Sequence, residues 1–330
     1  MRLRTRRRPA PFLLLLGAVA CGSESGSAPQ GAPPVVWADT SYGGVTVQTT
    51  PLREVTTPGA LSDRDLREAS GAVWSPREDG TVWSINDSGN EPWLFALDST
   101  GASRGVVQVA GASNRDWEAL AAGPCPTGVC LYIGDVGDNL ARYRAVTVWR
   151  IPEPMAPGPG TRTQSVASVA LHFTYPGGPR DVEAMWVDPD TALWLATKRP
   201  LRGNDGTYRP SLLYRLPPSA WNSPDTAIAE LVDSLPNVPR GDRAALITDA
   251  ALSNPLGTAG SGNRLAVRTY QTLFVFRVAE RSGRPLLLEA RCDLAPLNES
   301  QGEGLTWLPD GRVLLLSEDR GAPIRAGRCP

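Results

Sequence analysis

Short apolar runs broken by Gly, Pro, Asp and Asn make up most of this chain. One run returns five times behind the same introduction: a carboxylate or Ser, then Gly or Ala, then apolar residues. It reads Ser70-Gly71-Ala72-Val73-Trp74, Glu118-Ala119-Leu120-Ala121, Glu183-Ala184-Met185-Trp186, Asp249-Ala250-Ala251-Leu252 and Glu303-Gly304-Leu305-Thr306-Trp307. The starts lie about 48 to 66 residues apart, the length of one four-stranded propeller blade. A second strand follows each time, at Val82–Ile85, Leu131–Ile133, Leu193–Ala196, Leu265–Val267 and Val313–Leu316. A third places an aromatic between aliphatics, at Leu94–Leu97, Val148–Ile151, Leu213–Leu216 and Val275–Val278. Fourth strands are expected at Val106–Val109, Val166–Phe173, Ile228–Val232 and Leu286–Ala290, with Asp-Gly and Pro-Asp turns between elements. Gly and Pro interrupt every stretch long enough for a helix.

The pattern predicts an all-β fold, a single five-bladed β-propeller over residues 35–330. The fifth blade runs short of chain after Glu318. Its missing strand is expected from Val45-Thr46-Val47-Gln48-Thr49, which alternates like a strand and has no blade of its own. Closure by the N-terminal segment would remove open sheet edges.

Residues 1–20 read as a signal peptide. Five arginines between Arg2 and Arg8 precede a short apolar core, Phe12–Ala20, which is too short to span a bilayer. Ala18-Val19-Ala20-Cys21 resembles a bacterial lipobox, so Cys21 is the expected lipidation site, with residues 21–34 a flexible tether. The protein is then expected in the bacterial cell envelope, held to a membrane by its N-terminal lipid and facing the periplasm or exterior.

Four cysteines remain. Cys125 and Cys130 flank a Pro/Gly turn and are expected to pair locally, which leaves Cys292 with Cys329. Disulfides suit an oxidising compartment. The formal charge is −1. Loss of the five leader arginines takes it to about −6, with no basic stripe, so nucleic acid is not an expected partner.

Side chains two apart on a strand face the same way, so the repeat would gather Ser70, Glu118, Glu183, Asp249 and Glu303 near one axis, together with Glu68, Asp116, Asp181 and Gln301. Two carboxylates ~5 Å apart repel by roughly 3 kcal/mol at an effective dielectric near 20. Such a cluster calls for protons, paired cationic side chains or a bound cation. Hard oxygen donors without His or free Cys favour Ca2+ over softer metals. The alternative is a salt-bridged axis that uses Arg115, Arg180, Lys198, Arg199 and Arg268. His172, the only histidine, lies on an apolar strand and reads as structural.

Ser84-Ile85-Asn86-Asp87-Ser88-Gly89, Asp116-Trp117-Glu118-Ala119-Leu120-Ala121 with Leu131-Tyr132-Ile133-Gly134, and Gly302-Glu303-Gly304-Leu305 resemble segments of the calcium-activated nucleotidase (apyrase) family. The resemblance implies a five-bladed propeller with Ser70, Glu118, Glu183, Asp249 and Glu303 as calcium ligands and Asp87 in a nucleotide site. Two departures stand out. Asp249 replaces a Ser, and Ser88 stands where the family has an Arg.

Three functions are then open: a lipid-anchored binding module with an axial calcium, a calcium-dependent phosphohydrolase at the channel mouth, and a glycoside hydrolase using Asp116, Glu183 and Glu303. In the second, Asp87 or Asp135 would serve as base, with Lys198, Arg199 and Arg268 binding a small phosphorylated ligand. A protein partner is the expectation of the first. The lipidation reading predicts that Cys21→Ala releases the protein from membranes or leaves its leader uncleaved. Normal maturation with unchanged membrane partitioning would refute it.

Overall fold

The computed structural model describes residues 47–165, 167–198, 201–202, 208–235, 245–257, 263–279 and 285–330, all within the compact unit Trp37–Pro330. The leader, Cys21, the tether and Arg199 lie outside the described residues. Five antiparallel sheets form the blades, each running outward from an inner strand. Those inner strands are Ala69–Trp74, Trp117–Cys125, Val182–Val187, Ile247–Leu252 and Gly302–Trp307 in blades one to five. Each inner strand packs against the inner strands of the next and the preceding blade, and blade five packs against blade one. The ring is therefore a closed, five-bladed propeller, and its helical content among the described residues is confined to short 3-10 turns such as Pro218–Asn222 and Ala295–Leu297.

Five hydrophobic clusters hold the ring, one at each junction between neighbouring blades. Strand alternation explains them. Ala119 and Ala121 face blade three, whereas Leu120 and Ala122 face blade one. The side chains of the inner strands thus pack into blade junctions, and the apolar repeat read from the sequence is inter-blade core.

Closure differs from the expected one. Blade five takes its outer strand from Arg53–Ala60, antiparallel to Pro323–Arg328. Of the segment predicted to do this, Val45 and Thr46 lie outside the described residues, Val47 and Gln48 are not strand, and Thr49 begins Thr49–Pro51, which pairs in parallel with Arg291–Asp293 of blade four. The reason is physical. Arg53–Ala60 is exposed along nearly its whole length, holds Glu54 at φ 50°, and shifts register twice, so no apolar alternation marks it.

Thr49–Pro51 is one of three short additions of a kind that the sequence pattern did not reveal. Arg162–Gln164 adds in parallel to the outer strand of blade one, and Ala227–Ile228 to that of blade two. In each case the residues just before a blade's outer strand bridge to the preceding blade. Two or three exposed residues carry too little pattern to be recognised.

Both predicted disulfides are present, Cys125–Cys130 and Cys292–Cys329. The first closes a hairpin within blade two. The second fastens the outer strand of blade four to the chain end beside blade five, and both of its cysteines belong to that junction's buried cluster. It closes a loop of 37 residues against 5 for the other. The chain-entropy relation gives about 4 kcal/mol for the longer and about 2 kcal/mol for the shorter. Replacing Cys292 and Cys329 by Ser should therefore lower the melting temperature by more than the same change at Cys125 and Cys130. Equal or reversed losses in calorimetry would contradict this.

Candidate functional site: an acidic channel mouth

Each inner strand loses one residue of register against its neighbour near its start. The extra residue is Gly71 in blade one, Glu118 in blade two, Glu183 in blade three, Thr248 in blade four and Glu303 in blade five. A bulge takes a side chain out of the strand's alternation and re-aims it. That is how three glutamates escape the blade junctions and reach the axis. In blade four the register falls one residue earlier than the sequence repeat implied: Thr248 matches the glutamates, and Asp249 matches Ala119, Ala184 and Gly304.

Asp249 consequently does something different from its supposed equivalents. Its carboxylate is fully buried and accepts three backbone N–H groups, from Ala250 at 2.7 Å, Leu305 at 2.7 Å and Ala72 at 3.3 Å. Blades four, five and one are knotted together at the axis by this one side chain. Burial raises its pKa, opposed by the three amides and Arg268.

The ends of the second strands complete the mouth. The backbone N–H groups of Asp87, Gly137, Lys198 and Glu318 bond the carbonyls of Glu68, Asp116, Asp181 and Gln301, which sets one position beside the bulge in blades one, two, three and five. Asp87, Asp116 and Glu118 each offer a carboxylate oxygen, all within 4.8 Å of one another. Gly137 makes this approach possible, since a Cβ there would lie 2.6 Å from both the carboxyl carbon of Asp116 and the Cγ methylene of Glu118. Ser70 Oγ donates to Glu118 Oε2 at 3.0 Å and to the Glu118 carbonyl at 3.2 Å. Lys198, almost completely buried, is ion-paired with Glu183. Tyr270 donates to Glu303 Oε1 at 2.8 Å, and Gln301 Nε2 donates to Glu318.

Crowding shows in the titration of these groups. Burial, then Asp87, Asp181 and Asp135, push Asp116 up to about 7. Burial and Glu303 push Glu318 up to about 8. Burial raises Glu118 well above the usual carboxylate range, with Glu183, Asp87 and Glu303 adding to it. Burial, then Glu303 and Glu68, raise Asp87 as well. Burial pulls Lys198 down, but Glu183, Glu118, Tyr270 and Glu303 outweigh it and keep the ammonium charged.

The residues singled out from the sequence therefore divide. Asp87, Ser70, Glu118, Glu183, Glu303 and Lys198 meet at the mouth, whereas Asp249 is held by amides below it. Asp135 supports the mouth: its Oδ1 accepts the Asp116 N–H at 2.8 Å, and Arg115 lies beside it. Arg268 is 0% exposed, donates to the carbonyls of Gly304 and Leu316, and pairs with Glu299 at 2.8 Å. That placement commits Arg268 to the wall between blades four and five and leaves no face for a substrate. Arg115 also stacks over Tyr143, and Arg180 binds elsewhere, against Tyr214. His172 is exposed, with its Nδ1 3.0 Å from the Thr147 hydroxyl.

Sequence reasoning did not single out Glu299, Tyr270 or Glu318 as site residues. Gly302 was the available signal for Glu299, since any Cβ there would collide with the Arg268 guanidinium. Tyr270 and Glu318 each stand one residue past a second strand, the position that Asp87 and Lys198 occupy in their blades.

No family profile and no curated protein sequence matches this chain. Similar solved structures include the soluble aldose sugar dehydrogenase of Escherichia coli, at 10% identity, TM-score 0.46, covering 83% of this chain and 98% of that one. A gluconolactonase from Xanthomonas campestris shows 14% identity, TM-score 0.42, and coverage of 87% and 99%. The PQQ-bound aldose sugar dehydrogenase of Streptomyces coelicolor shows 12% identity, TM-score 0.44, and coverage of 83% and 98%. These scores carry no argument about chemistry. The likeness to calcium-activated nucleotidases finds no support in them, and the five-bladed fold stands on the ring of sheets itself.

Asp249→Ala strands three buried N–H groups, each worth roughly 1 kcal/mol or more when unpaired. The substitution should cost about 3 kcal/mol or more in denaturant unfolding. A loss below about 1 kcal/mol would show that the knot is dispensable.

Proposed function

We propose that the acidic mouth is a binding site for a hard divalent cation of the calcium type, through which a cell-envelope propeller engages an anionic ligand or partner. The observation that carries this reading is the Asp87–Asp116–Glu118 group, whose oxygens converge while the one lysine nearby is taken by Glu183. The donor set fits such a cation. It is all oxygen, it is brought together by a glycine that leaves it room, and its carboxyls are driven toward protonation by burial and by one another, without enough positive charge beside them. A bound cation would supply that charge, and Ser70, Asp135 and Lys198 would orient the carboxylates around it. Lipid attachment at Cys21 remains part of this proposal and would hold the mouth at a membrane surface.

A second reading, hydrolysis of phosphate esters or anhydrides, draws on a different observation. Asp116 near 7 and Glu318 near 8 can both exchange protons at neutral pH, as a general acid or base must. An activity panel of nucleotides, phytate and aryl glycosides separates this from pure binding.

The cation reading has a pH signature. A carboxyl held near 7 in the fold binds its proton more tightly than in the unfolded chain, where the value is about 4. The metal-free domain must then lose stability as pH rises from about 4 to 7, and cation binding must tighten over the same range as the proton leaves. We expect a lower melting temperature at pH 8 than at pH 5.5 without metal, and recovery at pH 8 when calcium is added. Glu118→Gln and Gly137→Ala should each weaken calcium binding tenfold or more by calorimetric titration. Melting curves at pH 8 that ignore both calcium and chelator would decide for an axis balanced by Lys198 alone.

A further inference from the structure

The opposite end of the axis has a different chemistry. Below Asp249 the inner strands enclose a cavity of about 370 Å³, walled by all five blades. Its inner end lies at Ala72 and Ala250, whose amides are bound to the Asp249 carboxylate, so the cavity is blind and separate from the acidic mouth. Of the residues lining it, two are charged, Arg77 and Asp79, and Arg77 is tied to the Glu153 carbonyl. Ser75, which also lines it, spends its proton on the buried Glu153.

We infer that this cavity is a second binding site, for an uncharged, ring-sized molecule with an apolar face and a polar edge. Three features argue for that class. Small apolar residues from the inner strands make the space, and the volume falls at the low end of the range for small-molecule pockets. Trp74, Trp186 and Trp307 are among the lining residues, and aromatic edges in a wall favour a flat ring. Two wall hydroxyls keep a proton to give: Thr306 Oγ1 accepts the Trp74 N–H at 2.7 Å, and Ser253 Oγ accepts the Arg264 N–H at 2.9 Å. Arg77 and Asp79 are both exposed, so an ionised ligand that passed them to the apolar inner part would lose its hydration without a partner of opposite charge there. A neutral sugar and a neutral aromatic alcohol share the required chemistry.

The test follows the indole N–H signals of Trp74 and Trp307 by NMR during titration with phenol, D-glucose and benzoate. Saturable shifts at millimolar concentration or below are expected with phenol, with glucose or with both, which identifies the source. Benzoate should bind at least tenfold more weakly than phenol. Asn254 is exposed at the rim, so Asn254→Trp should block entry and weaken the neutral ligand tenfold or more. It should leave the melting temperature and the calcium response of the mouth unchanged, which separates failure here from failure of the cation reading. Absence of shifts with both neutral rings, equal binding of benzoate, or undiminished binding to Asn254→Trp would each overturn the inference.

Discussion

Five sheets can close around a common axis only if their inner edges come together with almost nothing between them. Much else in this molecule follows from that crowding. Where the inner strands converge, the matching positions are Ala119, Ala184 and Gly304, and at Gly304 a Cβ would already press on Leu316 and Ala72. In blade four the same position holds Asp249. Its carboxylate is tolerated because it replaces what the crowding removes: it accepts amides from three blades that no neighbouring strand could satisfy. The closed centre divides the axis into an acidic mouth on one side and a neutral cavity on the other.

The bulges are the second consequence. A regular inner strand would send every side chain into a blade junction, where a carboxylate would face a hydrophobic cluster. One extra residue per blade releases Glu118, Glu183 and Glu303 to the axis at the mouth. Burial, together with the neighbouring carboxylates, raises the proton affinity of Glu118 and Glu183, and the acidic surroundings hold Lys198 charged despite burial. The electrostatic tension of the site is thus produced by the same backbone irregularity that lets the ring close.

The outer rim obeys a looser rule. Parallel additions at Arg162–Gln164, Ala227–Ile228 and Thr49–Pro51 tie neighbouring blades at their periphery, and Cys292–Cys329 makes one such tie covalent. The ring is closed by Arg53–Ala60, an exposed and irregular strand that the apolar pattern does not mark. The disulfide reinforces the junction next to that closing strand.

What the sequence determined by itself is what repeats. Apolar residues at alternating positions must be buried on two faces, so the five inner strands and their successors were legible, as were both disulfides from the Cys125–Cys130 turn and the pair left over. The meeting of Glu118, Glu183 and Glu303 at one axis was legible because they recur at the same place in three blades, although the bulges that aim them there were not. Register was not. A bulge is a one-residue slip with no side-chain signature, so the sequence assigned Asp249 to the place that Thr248 occupies. Nor could local pattern show that Arg268 finds Glu299, or that Lys198 is spent on Glu183, because those pairings join separate strands and loops that only ring closure brings together.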